Sequence, residues 1–212
     1  MGIKSVLIQV VLKVMSFTVR LVLFVMKQKL IKFEEEIKDL FLKGKIRFPV
    51  HFSGGNEDDL IEIFKEIKDG DWVFSTHRNH YHALLHNYKG LKDWIIKNGS
   101  MHVYGKKFFT SGIVGGAVPI ALGVAEGIKI QGGTDRVWCF VGDMAARTGI
   151  FHESAWYAAG HSLPITFIIE DNGMSVETPT EEAWGRSDTA DIRRYEYFRT
   201  YGHQGAGTHV IF

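Results

Sequence analysis

Two short apolar runs, Val137 to Val141 and Ile165 to Ile169, interrupt a chain whose other apolar residues mostly recur at helical intervals. The first run stops at Gly142-Asp143 and the second at Glu170-Asp171-Asn172-Gly173. Between them, Ile150, Ser154, Tyr157 and Ala158 are spaced as on a helix. Apolar run, helix, apolar run predicts a βαβ unit within a buried parallel sheet. A right-handed crossover carries the ends of both strands to one sheet edge. Asp143 and Asn172, 29 residues apart, fall at those two ends, where open α/β sheets bind ligands. A helix predicted to begin near Ala145 would aim its first N–H groups at the same edge and favour a phosphate there.

The pattern extends through the chain. Leu30, Phe33, Ile37, Leu40 and Phe41 predict an amphipathic helix over residues 27–47, with Gly44 as its stop. Gly54-Gly55 reads as a turn, Asn56 as a helix cap, and Glu57-Asp58-Asp59 as the acidic first turn that follows. Asp69-Gly70 closes that helix, and Trp72 to Phe74 form a strand. A helix rich in small residues runs from Ala117, with Pro119 in its first turn, to Gly132-Gly133. Val210 to Phe212 reads as a last strand. The expected architecture is a single α/β domain over residues 27–212, a mostly parallel sheet flanked by helices.

Residues 1–26 stand apart. They are apolar except for a stripe, Gln9, Lys13, Ser16 and Arg20, which Lys27 continues. At 100° per residue these fall along one side of a helix. A helix docked on a partner or lying on a membrane surface fits the stripe, whereas a spanning helix would carry Lys13 and Arg20 near its middle at a cost. A non-native upstream extension ending at Met26 is a third reading. Membrane association is expected only through this segment.

Composition narrows the class. With 45% hydrophobic residues and a formal charge of +1, the 212 residues describe a globular protein without an electrostatic claim on nucleic acid. Cys139 is the single cysteine and sits inside an apolar run, which predicts a buried thiol and a reducing, cytoplasmic setting.

The chemistry-bearing residues are few. Asp143 and Asn172 offer hard oxygens suited to Mg²⁺ or Ca²⁺. Arg78 is a candidate clamp for an anionic group. It lies in a run with His77, His80, His82 and His86, but no cysteine or glutamate accompanies them at zinc-site spacing. Gly112, Gly115 and Gly116 would let backbone approach a ligand closely.

Taken in order, these features resemble a known family. Gly142-Asp143-Met144 and Asp171-Asn172 match the ends of the thiamine diphosphate motif, and Glu153 and Leu163-Pro164 match the text between them. Upstream, Thr76 to His80, Gly99-Ser100-Met101-His102 and Gly112-Ile113-Val114-Gly115 match further signatures in the expected order. From about Lys27 to Val176, and again around His203, the chain resembles the α subunit of thiamine-diphosphate-dependent 2-oxo acid dehydrogenases, the E1 component. It is similar to that subunit's diphosphate-binding half, in a short form.

The resemblance implies a thiamine-diphosphate-binding fold, with thiamine diphosphate and Mg²⁺ as cofactors. Mg²⁺ would be held by Asp143, by the Asn172 amide oxygen and by the Met174 carbonyl. Gly142, the N–H groups of Met144 and Ala145, and Arg78 would hold the diphosphate, while Gly112 and Val114 would meet the aminopyrimidine. His203 and His77 would stand at the reacting centre, His77 where the family usually has a tyrosine. Implied partners are a β-type subunit carrying the pyrimidine-binding domain, in an α₂β₂ heterotetramer, and a lipoyl-bearing E2. The chain alone would be inactive. Met144 occupies a position that is glycine in the family, which is tolerable only if φ there is negative. Only 31 residues separate Asn172 from His203, an interval in which the family places a further βα segment. A split transketolase-like or carboligating enzyme, and a non-catalytic cofactor-binding remnant, remain open as alternatives.

Overall fold

The computed structural model describes residues 3–98, 102–185 and 192–207, and of residues 3–11 and 16 the backbone alone. The signature at Gly99, Ser100 and Met101 and the expected strand at Val210 to Phe212 therefore lie outside the described residues.

Helix α1 (Ile3–Leu42) runs without a break through residues 26 and 27. Leu30 and Ile37 are buried, and Phe33, Leu40 and Phe41 pack against the same cluster, the face its periodicity predicts. The helix stops just before Gly44, whose φ of 68° is the left-handed turn that glycine accepts most readily. Helices α2 (Glu57–Phe64), α3 (His80–Leu85) and α4 (Leu91–Asn98) follow, with strand β1 (Trp72–Ser75) between α2 and α3. Next come the short strands β2 (Tyr104–Gly105) and β3 (Phe108–Thr110), then helix α5 (Ala117–Ile130). The expected pair is present as β4 (Val137–Gly142) and β5 (Ile165–Asp171), joined by helix α6 (Gly149–Gly160). A small hairpin, β6 (Met174–Ser175) and β7 (Thr178–Pro179), leads to α7 (Thr180–Trp184) and strand β8 (Arg193–Glu196).

Six strands form one sheet in the order β2-β3-β1-β4-β5-β8, parallel throughout except at the β2–β3 edge. Alternation along β4 explains the layering. Trp138 and Phe140 point into a core shared with α1 to α4, and Cys139 and Val141 into one shared with α5 and α6. Each such fully buried side chain contributes about 1.5–3 kcal/mol through removal from water. The β4–β5 register runs from Val137 beside Ile165 to Gly142 beside Glu170, so both strands end level.

Several local expectations change. A 3₁₀ turn at Ala145–Arg147 precedes α6, which starts only at Gly149 because Thr148 is extended. Within α6, Phe151, Ser154 and Ala158 face inward, and Tyr157 is turned out. Asn56 precedes α2 but makes no capping bond with its side chain. Being buried, it donates instead to the Tyr195 hydroxyl across the fold, at 3.1 Å. The α2 helix ends at Phe64, ahead of Asp69-Gly70. Strand β8 has no apolar run to mark it, since its edge position is filled by Arg193 and Arg194, paired to Glu66 and Asp171.

Candidate active site

The level ends of β4 and β5 form one wall of a cavity of about 450 Å³. Asp143 follows β4 directly and its N–H donates to the Glu170 carbonyl on β5, at 3.2 Å. Its carboxylate is 2% exposed and accepts a hydrogen bond from the Thr180 hydroxyl. Burial holds its carboxyl above the usual carboxylate range; the Thr180 hydrogen bond opposes the shift and the Asp171 charge adds to it. Asn172 follows β5. Its amide nitrogen donates to the Tyr197 hydroxyl at 3.1 Å, and its amide oxygen accepts the Met174 N–H at 3.1 Å. Gly173, with φ of 70°, makes the turn that brings Met174 back beside Asn172. Met144 has φ of −67° and ψ of −40°, ordinary helical values, so methionine is unstrained where the family has glycine.

The opposite wall comes from three distant segments. Arg78, 8% exposed, donates one nitrogen to the Phe52 carbonyl at 2.7 Å and the other to the His203 carbonyl. The second nitrogen also lies 3.1 Å from His203 Nδ1. His51 Nδ1 is 3.1 Å from the same His203 carbonyl. The rings of His51 and His77 meet edge to face at 4.5 Å between centroids. Among the described residues no carboxylate forms an ion pair with Arg78, and burial lowers its pKa to about 10. Burial, reinforced by the Arg78 charge, brings His51 down to about 4; burial and the neighbouring His51 push His77 well below its ordinary value. Both rings are therefore neutral near pH 7.

A polar network closes the cavity floor. Glu170 accepts from the Tyr195 hydroxyl and from Asn56 at 3.5 Å. His82 Nε2 sits 3.2 Å from Glu170 Oε1 but off the line of a hydrogen bond. The rest of the histidine run disperses: His80 pairs with Glu34 on α1, and His86 stacks on Phe108.

Thus Arg78, His77, Gly112, Val114, Gly142, Asp143, Met144, Ala145, Asn172, Met174 and His203 all line one cavity. Gly112 and Val114 stand at its open side, where Val114 is 64% exposed. The sequence reading passed over His51, Thr180 and Tyr197. For Tyr197 a signal existed, since Tyr195 and Tyr197 alternate as in a strand leading out of β8. His51 and Thr180 lie in segments without periodicity and had none.

A family model described as "Dehydrogenase E1 component" matches residues 26–195. The α subunit of acetoin:2,6-dichlorophenolindophenol oxidoreductase from Bacillus subtilis is 33% identical over 78% of this chain and 55% of its own length. That of Cupriavidus necator is 34% identical over 69% of this chain and 48% of its own. The pyruvate dehydrogenase E1 component α subunit of Rickettsia prowazekii is 32% identical over 69% and 49%. The chain thus spans about half the length of these relatives. A solved structure described as a thiamin diphosphate-dependent enzyme, from Mycobacterium smegmatis, covers 60% of this chain and 22% of its own at 22% identity, with a TM-score of 0.41. That likeness is too slight to bear on function.

Proposed function

The chain belongs to the dehydrogenase E1 component family, and on that premise we propose that it is the α-type subunit of a thiamine-diphosphate-dependent 2-oxo acid dehydrogenase. The observation that carries this reading is the pairing of the two cavity walls. One offers a carboxylate and an amide oxygen at adjacent strand ends, and the other a buried guanidinium that, among the described residues, forms no ion pair with a carboxylate. A hard divalent cation suits the first wall, and a diphosphate suits the space between both.

Asp143, the Asn172 amide oxygen and the Met174 carbonyl would hold Mg²⁺. Gly142, Arg78 and the N–H groups of Met144 and Ala145 would hold the diphosphate, and Gly112 and Val114 the pyrimidine ring. When bound, thiamine diphosphate supplies the electron sink that decarboxylation of a 2-oxo acid requires. For its part this chain orients the cofactor's charged end and excludes water from it. His203 and His77 would stand at the reacting centre; burial holds His77 neutral, the form that can accept a proton.

A β-type chain would complete the site in an α₂β₂ assembly, and the acyl group would pass to a lipoyl-bearing E2. The buried, unpaired thiol of Cys139 suits a cytoplasmic setting. The relatives are named for both acetoin and pyruvate, so both belong in a substrate screen.

Calorimetry of the chain with its β-type partner, thiamine diphosphate and Mg²⁺ tests the proposal. Binding that requires Mg²⁺ is expected. Binding indifferent to Mg²⁺, or none, would overturn it.

A further inference from the structure

The N-terminal part of α1 has no role in the site, and the family match begins only at residue 26. Yet it carries the largest run of exposed apolar side chains among the described residues. Leu12, Val14, Met15, Phe17, Val19, Leu21, Val22, Phe24 and Val25 are all more than half exposed. A contiguous apolar surface of this kind marks an interaction site.

We infer that residues 12–26 form an arm that lies on an anionic membrane surface, with its apolar arc sunk among the acyl chains. Three observations select this occupant. First, the charge is one-sided: Lys4, Lys13, Arg20, Lys27, Lys29 and Lys32 precede Glu34, the first acidic residue of the chain. Each basic residue near an anionic leaflet contributes about 1 kcal/mol, a factor of roughly five in binding.

Second, the polar stripe is narrow. At 100° per residue, Lys13, Ser16, Arg20 and Lys27 lie within an arc of about 60°. Long basic side chains on such a stripe can reach the headgroups while the helix body is immersed. Phe17 and Phe24 fall beside it, at the level where aromatic rings favour the interface.

Third, the body of the protein takes hold of the helix only from about Leu23 onward, so the described side chains of residues 12–22 stand clear of it. Lys27, the last member of the stripe, is ion-paired to Asp58 on α2 at 2.6 Å, and Leu23, next to the stripe, packs on the core. Among the described residues nothing covers the apolar arc over these first turns, as a helix immersed in a leaflet requires. Among the described residues no helix is long and apolar enough to cross a membrane.

The test is flotation of the full chain with vesicles of phosphatidylcholine alone and of phosphatidylcholine with 30% phosphatidylglycerol. Binding to the anionic vesicles is expected, weakened several-fold by 0.5 M salt. The double variant K13A/R20A should lose roughly 25-fold in vesicle affinity. The variant F17E/F24E should lose binding while keeping the circular dichroism of the parent. Three outcomes would overturn the inference: no binding to anionic vesicles, equal and carbonate-resistant binding to neutral ones (a spanning helix), or self-association through the arm without vesicle binding. None of the variants touches the cavity, so failure here leaves the cofactor proposal standing, and failure of calorimetry leaves this one standing.

Discussion

The two walls of the cavity are built in opposite ways. The strand-end wall is local: Asp143, Asn172 and Met174 belong to one βα-β unit, and the level register of β4 and β5 puts them together. The basic wall is assembled from afar, since Arg78 meets His203 across 125 positions and His51 meets His203 across 152. Their electrostatics differ as well. Asp143 is buried with a raised carboxyl pKa beside Asp171, while Arg78, His51 and His77 are buried with lowered ones. Each wall is frustrated by desolvation of its own charge. The contrast suits the proposed ligand, which would bring positive charge to one wall and negative charge to the other.

Mutations at each wall can break this contrast. Asp143→Ala should cost the largest effect, at least about 100-fold in Mg²⁺-dependent cofactor binding by calorimetry, because a metal ligand outweighs its outer-shell supports. Unchanged binding would remove the strand-end wall from the argument. Arg78→Ala should weaken diphosphate binding by about 10- to 100-fold, the worth of charge-assisted hydrogen bonds, and Arg78→Lys should recover only part of it. A full recovery would mean that Arg78 acts as a bare charge and not as a two-pronged donor.

The histidines sharpen the contrast through pH. His51 titrates at about 4 in the fold and near 6.5 when unfolded. Its neutral form is thus favoured by folding, and the associated stability is present above pH 6.5 and drains away as pH falls towards 4. Denaturant titrations at pH 7 and 4.5 should show an acid loss from this group of roughly 2 kcal/mol that His51→Gln lacks. An identical loss in the variant would assign the acid sensitivity elsewhere, with His77 the next group to test.

The smallest effect is expected at Thr180. Its hydroxyl steadies the ionised form of Asp143 against burial. Thr180→Val should raise the Asp143 pKa further, so Mg²⁺ affinity, which needs the carboxylate, should fall off at a higher pH than in the parent. A pH profile of metal binding unaltered by the substitution would show that Thr180 only packs.

What the sequence by itself determined was the local part. Apolar runs ending in Gly142-Asp143 and Glu170 to Gly173 are enough to predict β4, β5 and the residues at their ends, because strand length and burial are written in consecutive residues. The inward face of α1 over Leu30, Phe33, Ile37, Leu40 and Phe41 was legible for the same reason. Tertiary structure decided what depends on register and long-range closure. It brought His51 to His203 and Tyr197 to Asn172, gave Thr180 to Asp143, diverted Asn56 from capping to Tyr195, and added β8 as a polar edge strand. None of these pairings has a sequence period, since each is fixed by how separate elements pack and not by spacing along one of them.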